Sequence, residues 1–174
     1  MPTLPARRTP KTGSPSQERR KRGGVISLGR TAPANFVMLY GLAPAERIAL
    51  VKRGIPAGEV VVIAKTIGRP KERLMKLLGF PRATIDRKSR SNLPLSIEQG
   101  ERLVGFAKLV GQVQVMVEQS GNPVGFDAAK WLGEWLERPL PALGGLAPAV
   151  YMDTNEGQQL VSGLLGQMQS GAHA

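Results

Sequence analysis

The chain has no cysteine, and its single histidine, His173, is the next-to-last residue. A disulfide framework and thiol chemistry are therefore excluded, and an ordinary zinc site would lack ligands, so neither a metal nor another cofactor is expected. No apolar run approaches the ~18 residues of a membrane span, and the N-terminus lacks the apolar stretch of a secretory signal. The expectation is a cytoplasmic protein without a membrane partner. There is no glycine-rich phosphate loop at strand-to-helix spacing, no nucleophile elbow and no usable histidine or cysteine. The carboxylates do not cluster: Glu134 with Glu137, and Asp153 with Glu156, read as helix-start or solvent-face acids. No catalytic residue is assigned, and an enzyme is not expected.

Acidic residues are also scarce, with 13 Asp and Glu against 24 Lys and Arg, a net charge of +11 over 174 residues. The excess is uneven: +7 over residues 1–30, +7 over 31–119 and −3 over 120–174. Only the front two-thirds is suited to a polyanion. Such a protein releases counterions when it meets phosphate, so nucleic acid is the leading partner and an anionic membrane surface the lesser alternative. With 41% hydrophobic residues, the chain can bury a genuine core, as one domain or as two small helical modules.

Residues 1–30 combine prolines, serines and glycines with Arg7, Arg8, Lys11 and the run Arg19 to Arg22. The first ~25 of them carry almost no apolar side chain to bury, and the segment reads as a disordered basic arm, either a solubilising tail or a source of extra DNA contacts. Helical signals begin at Pro44, which can open a segment closed by Gly54. Pro56 then precedes a run through Val60, Val61, Val62, Ile63, Ala64 and Ile67. Its β-branched residues favour a strand by propensity, but no second strand is near enough to pair with it, so a helix is expected.

Residues 68–92, GRPKERLMKLLGFPRATIDRKSRSN, carry helix-turn-helix punctuation. Pro70 opens a short helix that buries Leu74, Leu77 and Leu78, Gly79 ends it, and Pro81 opens another. In this second helix Ile85 is the core anchor, and at 100° per residue Ala83, Thr84, Arg87 and Arg90 turn away from it, with Arg82 and Lys88 on the flanks. A short exposed helix with small or polar residues near its start and guanidinium groups able to fork onto guanine suits the major groove. Arg82, Thr84, Arg87, Lys88 and Arg90 are the candidate DNA-binding residues. Nine bases against Glu72 and Asp86 between Lys65 and Arg90 add phosphate anchoring.

Ser96 and Gln99 have the spacing of a capping box before a long helix carrying Leu103, Phe106, Ala107, Val110, Val113 and Val117. Gly121-Asn122-Pro123 marks a boundary, giving expected units at 1–30, 31–120 and 121–174. Beyond it, a helix around Ala128–Glu137 presents Trp131 and Trp135 at i and i+4, as core residues or as partner-facing anchors. Thr154 caps a last helix whose apolar positions Leu160, Val161, Leu164, Leu165 and Met168 form one face, with Gly171 as its stop.

The Trp131-Leu132 pair, then Leu143-Gly144-Gly145, Pro148, Thr154, Gly157, Val161 and Leu164 in that order, resemble the C-terminal toxin-binding domain of the Xre/MbcA/ParS antitoxin family. The segment from Gly54 to about Leu109 resembles that family's helical DNA-binding half. The resemblance implies an all-α protein, with a helix-turn-helix DNA-binding domain followed by a small helical toxin-binding domain. It implies a neighbour-encoded RES-domain toxin that consumes NAD+ as partner, with the antitoxin's C-terminal end over the toxin's active site. Trp131, Trp135 and Tyr151, with the tail Gln167, Met168, Gln169, Ser170, Gly171, Ala172, His173 and Ala174, become the candidate toxin-binding residues. Operator DNA, a homodimer and a higher toxin-antitoxin assembly are the further partners implied. The alternatives are a helix-turn-helix regulator without a toxin and an interaction adaptor without DNA binding.

Overall fold

A computed structural model describes residues 34–121 and 123–171; the basic arm at 1–30 and Ala172, His173 and Ala174 lie outside them. Within the described residues the chain is all-α. Its helices are α1 (Ala34–Gly41), α2 (Pro44–Arg53), α3 (Glu59–Thr66), α4 (Lys71–Leu77), α5 (Arg82–Arg90), α6 (Ile97–Gln119), α7 (Ala128–Trp135) and α8 (Asn155–Ser170). Two short 3-10 helices, Pro141–Leu143 and Pro148–Tyr151, join α7 to α8.

Local signals set most of the helix starts. Ser96 Oγ accepts from the Gln99 amide while Gln99 Oε1 accepts from the Ser96 amide at 3.0 Å, so the two ends of the capping box satisfy each other at the start of α6. Thr154 Oγ1 accepts from the Gly157 amide at 3.0 Å to open α8, and Asp127 Oδ1 accepts from the Lys130 amide at 3.0 Å to open α7. The β-branched run is α3: Val60, Ile63, Ala64 and Ile67 are buried, which is i, i+3, i+4, i+7 spacing. Tertiary burial along a helical stripe overrides the strand preference of the individual residues.

The 23 residues of α6 form the central strut. α1 lies against it closely enough that a Cβ on Gly111 would stand 2.0 Å from the Phe36 carbonyl oxygen, so only glycine permits the approach. Phe36 and Leu39 are fully buried there. The sequence reading has no helix before Pro44; α1 is held by this packing, with no acid in its first turn and no base in its last. On another side, α7 and α8 pack onto α6. Gln112 Nε2 donates to the Ser162 carbonyl at 2.9 Å and Ser162 Oγ donates to Gln112 Oε1 at 2.7 Å, which satisfies both groups at the α6–α8 contact. A continuous buried cluster runs from Phe36 to Leu165. Material on both sides of Gly121-Asn122-Pro123 thus contributes to a shared core.

Candidate functional site

α4 and α5 are joined by a turn through Leu78, Gly79, Phe80 and Pro81. Gly79 has φ +64, a left-handed conformation that costs a residue with a Cβ roughly 1–2 kcal/mol. Leu74, Met75 and Leu78 bury one side of α4, Phe80 fills the corner, and Ile85 is the buried anchor of α5. Pro81 precedes Arg82, the first residue of α5, and its ring fixes the chain direction into that helix.

Around Ile85 the candidate side chains fan outward. Arg82, Ala83, Arg87 and Arg90 are exposed, while Thr84 and Lys88 are half-buried. Ion pairs hold the flanks: Lys71 Nζ lies 2.5 Å from Asp86 Oδ1, Arg82 Nη2 is 3.4 Å from Glu72, and Arg82 Nε is 3.7 Å from Asp86. The hydrogen bond from Lys71 is the main cause holding the Asp86 carboxyl below its usual range, with Arg82 and Arg90 adding to it. Lys88 Nζ donates to Gln99 Oε1 at 3.4 Å, and Arg90 Nε to the Asp86 carbonyl at 3.3 Å. Arg87 has no partner among the described residues, so its guanidinium is free to fork onto a base or phosphate.

Some of the nine bases between Lys65 and Arg90 are held in ion pairs, Lys71, Arg73 and Arg82 among them. Arg73 Nε donates to Glu137 Oε1 at 2.8 Å, and this bond, helped by the charges of Arg73 and Arg69, keeps Glu137 below the usual carboxylate range. Arg69, Arg73 and Lys76 line a groove of about 270 Å³ with Leu136, Glu137 and Val150, where α4 meets α7. Of these three, Arg73 is committed to that junction by its bond to Glu137.

In the C-terminal region the two tryptophans part company. Their rings stack at 5.8 Å and 12°, but Trp135 is only 4% exposed whereas Trp131 is half-buried. Of the two alternatives left open for it, Trp135 takes the core position. Tyr151 is half-buried at the edge of the core, and Gln167, Met168, Gln169, Ser170 and Gly171 are exposed.

The apolar positions of α8 lie on one face as expected, but the face is only partly covered. Val161 and Leu165 are buried, but Leu160 is 45% and Met168 50% exposed, with Leu164 between them half-buried. Five apolar positions spaced 1, 3, 1 and 3 apart span too wide an arc for one neighbouring helix to cover. The outward stripe Leu160, Leu164 and Met168 was not picked out from the sequence as a surface; the width of that arc was the available signal. Beside it, a Cβ on Gly163 would meet nothing within 4 Å.

Among the described residues no group of His, Cys, Asp or Glu is placed to hold a metal ion, and no helix is long and apolar enough to cross a membrane.

Residues 46–108 match the family model of the antitoxin Xre-like helix-turn-helix domain, and residues 125–171 match that of the antitoxin Xre/MbcA/ParS C-terminal toxin-binding domain. A protein of Sphingobium sp. (strain YBL2) named Prs ADP-ribosylating antitoxin is 44% identical over 144 residues, which cover 83% of this chain and 91% of the relative.

Proposed function

The chain belongs to the Xre/MbcA/ParS family of antitoxins, and from that premise we propose that it holds a RES-domain, NAD+-consuming toxin through its C-terminal domain and binds the operator of its own transcription unit through α5. It is an antitoxin of a toxin-antitoxin system with a helix-turn-helix domain and a toxin-binding domain. The chain itself acts by binding rather than by catalysis. It works in the cytoplasm as a homodimer that represses its operon, and the operator carries the corresponding two-fold symmetry.

The observation that carries this reading is the division of spare surface between two elements. On α5, Arg87 and Arg90 project from a helix anchored by Ile85, with Arg82, Thr84 and Lys88 beside them. Guanidinium groups so placed can read guanine edges in the major groove, while the lysines and remaining arginines contact phosphate. On α8, the outward stripe of Leu160, Leu164 and Met168 leads into the exposed last helical turn, Gln167–Ser170, and its cap Gly171. An apolar stripe running into a polar end suits a partner's cleft: the stripe supplies buried area and the end supplies hydrogen-bonding groups. Trp131 and Tyr151 add half-buried aromatic surface in the same domain. Ala172, His173 and Ala174 extend the toxin-binding tail in this reading.

The name of the Sphingobium relative pairs an antitoxin with ADP-ribosylation. ADP-ribosyl transfer draws its group from NAD+, which supports a partner that consumes that nucleotide. Because the region from residue 120 onward is net acidic and the front is basic, the toxin and the DNA backbone do not compete for the same charges.

Truncation after Gly166 tests the assignment of the tail. It removes the end of α8 while sparing the cap at Thr154 and the Gln112–Ser162 pair. The truncated chain is expected to retain operator binding and to lose protection when co-expressed with the toxin. A truncated chain that still protects cells contradicts the tail as the inhibitory element.

A further inference from the structure

The turn between α4 and α5 rests on the toxin-binding half of the chain. Arg102, in the second turn of α6, donates through Nη1 to the Leu78 carbonyl at 2.9 Å and to the Asp153 carbonyl at 3.0 Å. Its guanidinium carbon lies 5.3 Å from the centre of the Phe80 ring. The Leu78 carbonyl is one of those at the end of α4 that the helix cannot satisfy itself, and a cation there is doubly favourable. Asp153 directly precedes Thr154, the cap of α8. The backbone at position 102 is tied to the same place, since Gln158 Nε2 donates to both the Arg102 and the Met152 carbonyls at 3.0 Å. There is no slack in the contact: a Cβ on Gly79 would stand 3.0 Å from Asp153 Cβ and 3.1 Å from Arg102 Nη1.

We propose that Arg102 is a positioning residue for DNA recognition, which seats the α4–α5 turn on the start of α8 so that the toxin-binding half sets the aim of the recognition helix. The proposal rests on the reading of α5 as that helix. α5 has nine residues and a single buried anchor, Ile85; beyond its C-terminal end the chain is tied where the Ala57 amide donates to the Leu93 carbonyl and the Leu95 amide to the Ile55 carbonyl, so the seat of the α4–α5 turn is what fixes the N-terminal end. The ion pairs of Arg82 are exposed and hold an orientation only weakly, which leaves the half-buried Lys71–Asp86 pair as the one firm side-chain tie between α4 and α5. The Arg102 contacts are stronger in kind: one planar cation bridges two carbonyls and lies over a buried ring. Base readout tolerates errors of about 10–20° at most, so loss of this seat weakens specific binding first.

The test uses full-length wild type, Arg102→Ala, Arg102→Lys and Arg87→Ala. Each is titrated against a duplex from the promoter of its own transcription unit and a scrambled duplex of equal length, over a range of salt, with a thermal melt alongside. Arg102→Ala is expected to lose on the order of tenfold in operator affinity, while scrambled-duplex affinity and the salt slope stay as in wild type. Arg102→Lys, which keeps a donor but not the plane, recovers part of the loss; it also carries the test if the alanine variant does not fold. A purely structural role would not change the ratio of operator to scrambled affinity at temperatures below the melt. An unchanged ratio in both variants overturns the proposal. So does equal weakening on both duplexes with the salt slope reduced by about one, because that marks Arg102 as a phosphate contact. If wild type itself does not distinguish the duplexes, the α5 reading fails and the proposal with it; normal wild-type binding, lost in Arg87→Ala but kept in both Arg102 variants, overturns the positioning role alone.

Discussion

Gly157 and Gly163 lie in the same helix, yet replacing each by alanine is expected to move stability in opposite directions. A Cβ on Gly157 would stand 1.9 Å from the Tyr151 carbonyl oxygen and 2.9 Å from Thr154 Oγ1. The first neighbour is backbone and cannot swing away, so α8 must shift off the 3-10 helix Pro148–Tyr151. Overpacking of this kind costs about 1–3 kcal/mol, and losing the Thr154 cap adds about 1 kcal/mol. Together Gly157→Ala should destabilise by about 2–4 kcal/mol, which in a protein of this length lowers the melting temperature by roughly 4–16 °C. Gly163→Ala meets open space inside a helix and removes the entropic cost of glycine, a gain of about 0.5–1 kcal/mol. Thermal unfolding followed by circular dichroism reads both. A Gly157→Ala melt within about 1 °C of wild type, or a Gly163→Ala melt below it, refutes the packing argument. Gly163 also borders the outward stripe, so the stabilised variant should hold the toxin less well, a combination that a purely structural glycine would not give.

Arg87→Ala combined with Arg90→Ala should abolish operator binding while toxin neutralisation persists; equal DNA affinity in the double variant counts against α5 as the reading element. Leu160→Asp with Met168→Asp places charge on the outward stripe and should release the toxin in a co-expression growth assay, with the melting temperature little changed because both positions are exposed; continued protection contradicts the stripe as a contact. Lys71 holds the Asp86 carboxyl below its ordinary pKa, so this pair contributes at pH values above the ordinary aspartate pKa and the contribution is lost as pH falls through the lower folded-state value. Lys71→Met should therefore flatten the stability profile below about pH 4, and an acid titration identical to wild type would show that the pair contributes nothing.

What could be read from the sequence and what could not follow the range of the forces involved. The caps of α6 and α8 at Ser96 and Thr154 are three-residue interactions and were legible, as was the turn at Gly79 and Pro81 with Ile85 as anchor. The β-branched run of α3 could be assigned only by arguing that it had no strand partner, and its buried stripe of Val60, Ile63, Ala64 and Ile67 bears out the helix. α1 escaped because its main determinant is Gly111, some seventy residues away, where the missing side chain lets two backbones meet. On α8, periodicity identified the apolar positions but not which of them find a neighbour, so Leu160 and Met168 looked like Val161 and Leu165. Arg102 gave no signal, since its contacts span 24 and 51 residues of sequence. The division of the arginines is of the same kind: Arg73 is committed to Glu137, 64 residues on, and no local pattern distinguishes it from Arg87.

The measurement closest to the central claim is to express the native transcription unit with a tag on this protein, and to ask whether a neighbour-encoded protein co-purifies through residues 120–174 and depletes cellular NAD+ once freed. The account predicts that it does both, and that the Leu160→Asp, Met168→Asp variant releases it. Co-purification of no neighbour, or of one that leaves NAD+ unchanged when freed, would contradict the proposed pairing with an NAD+-consuming toxin.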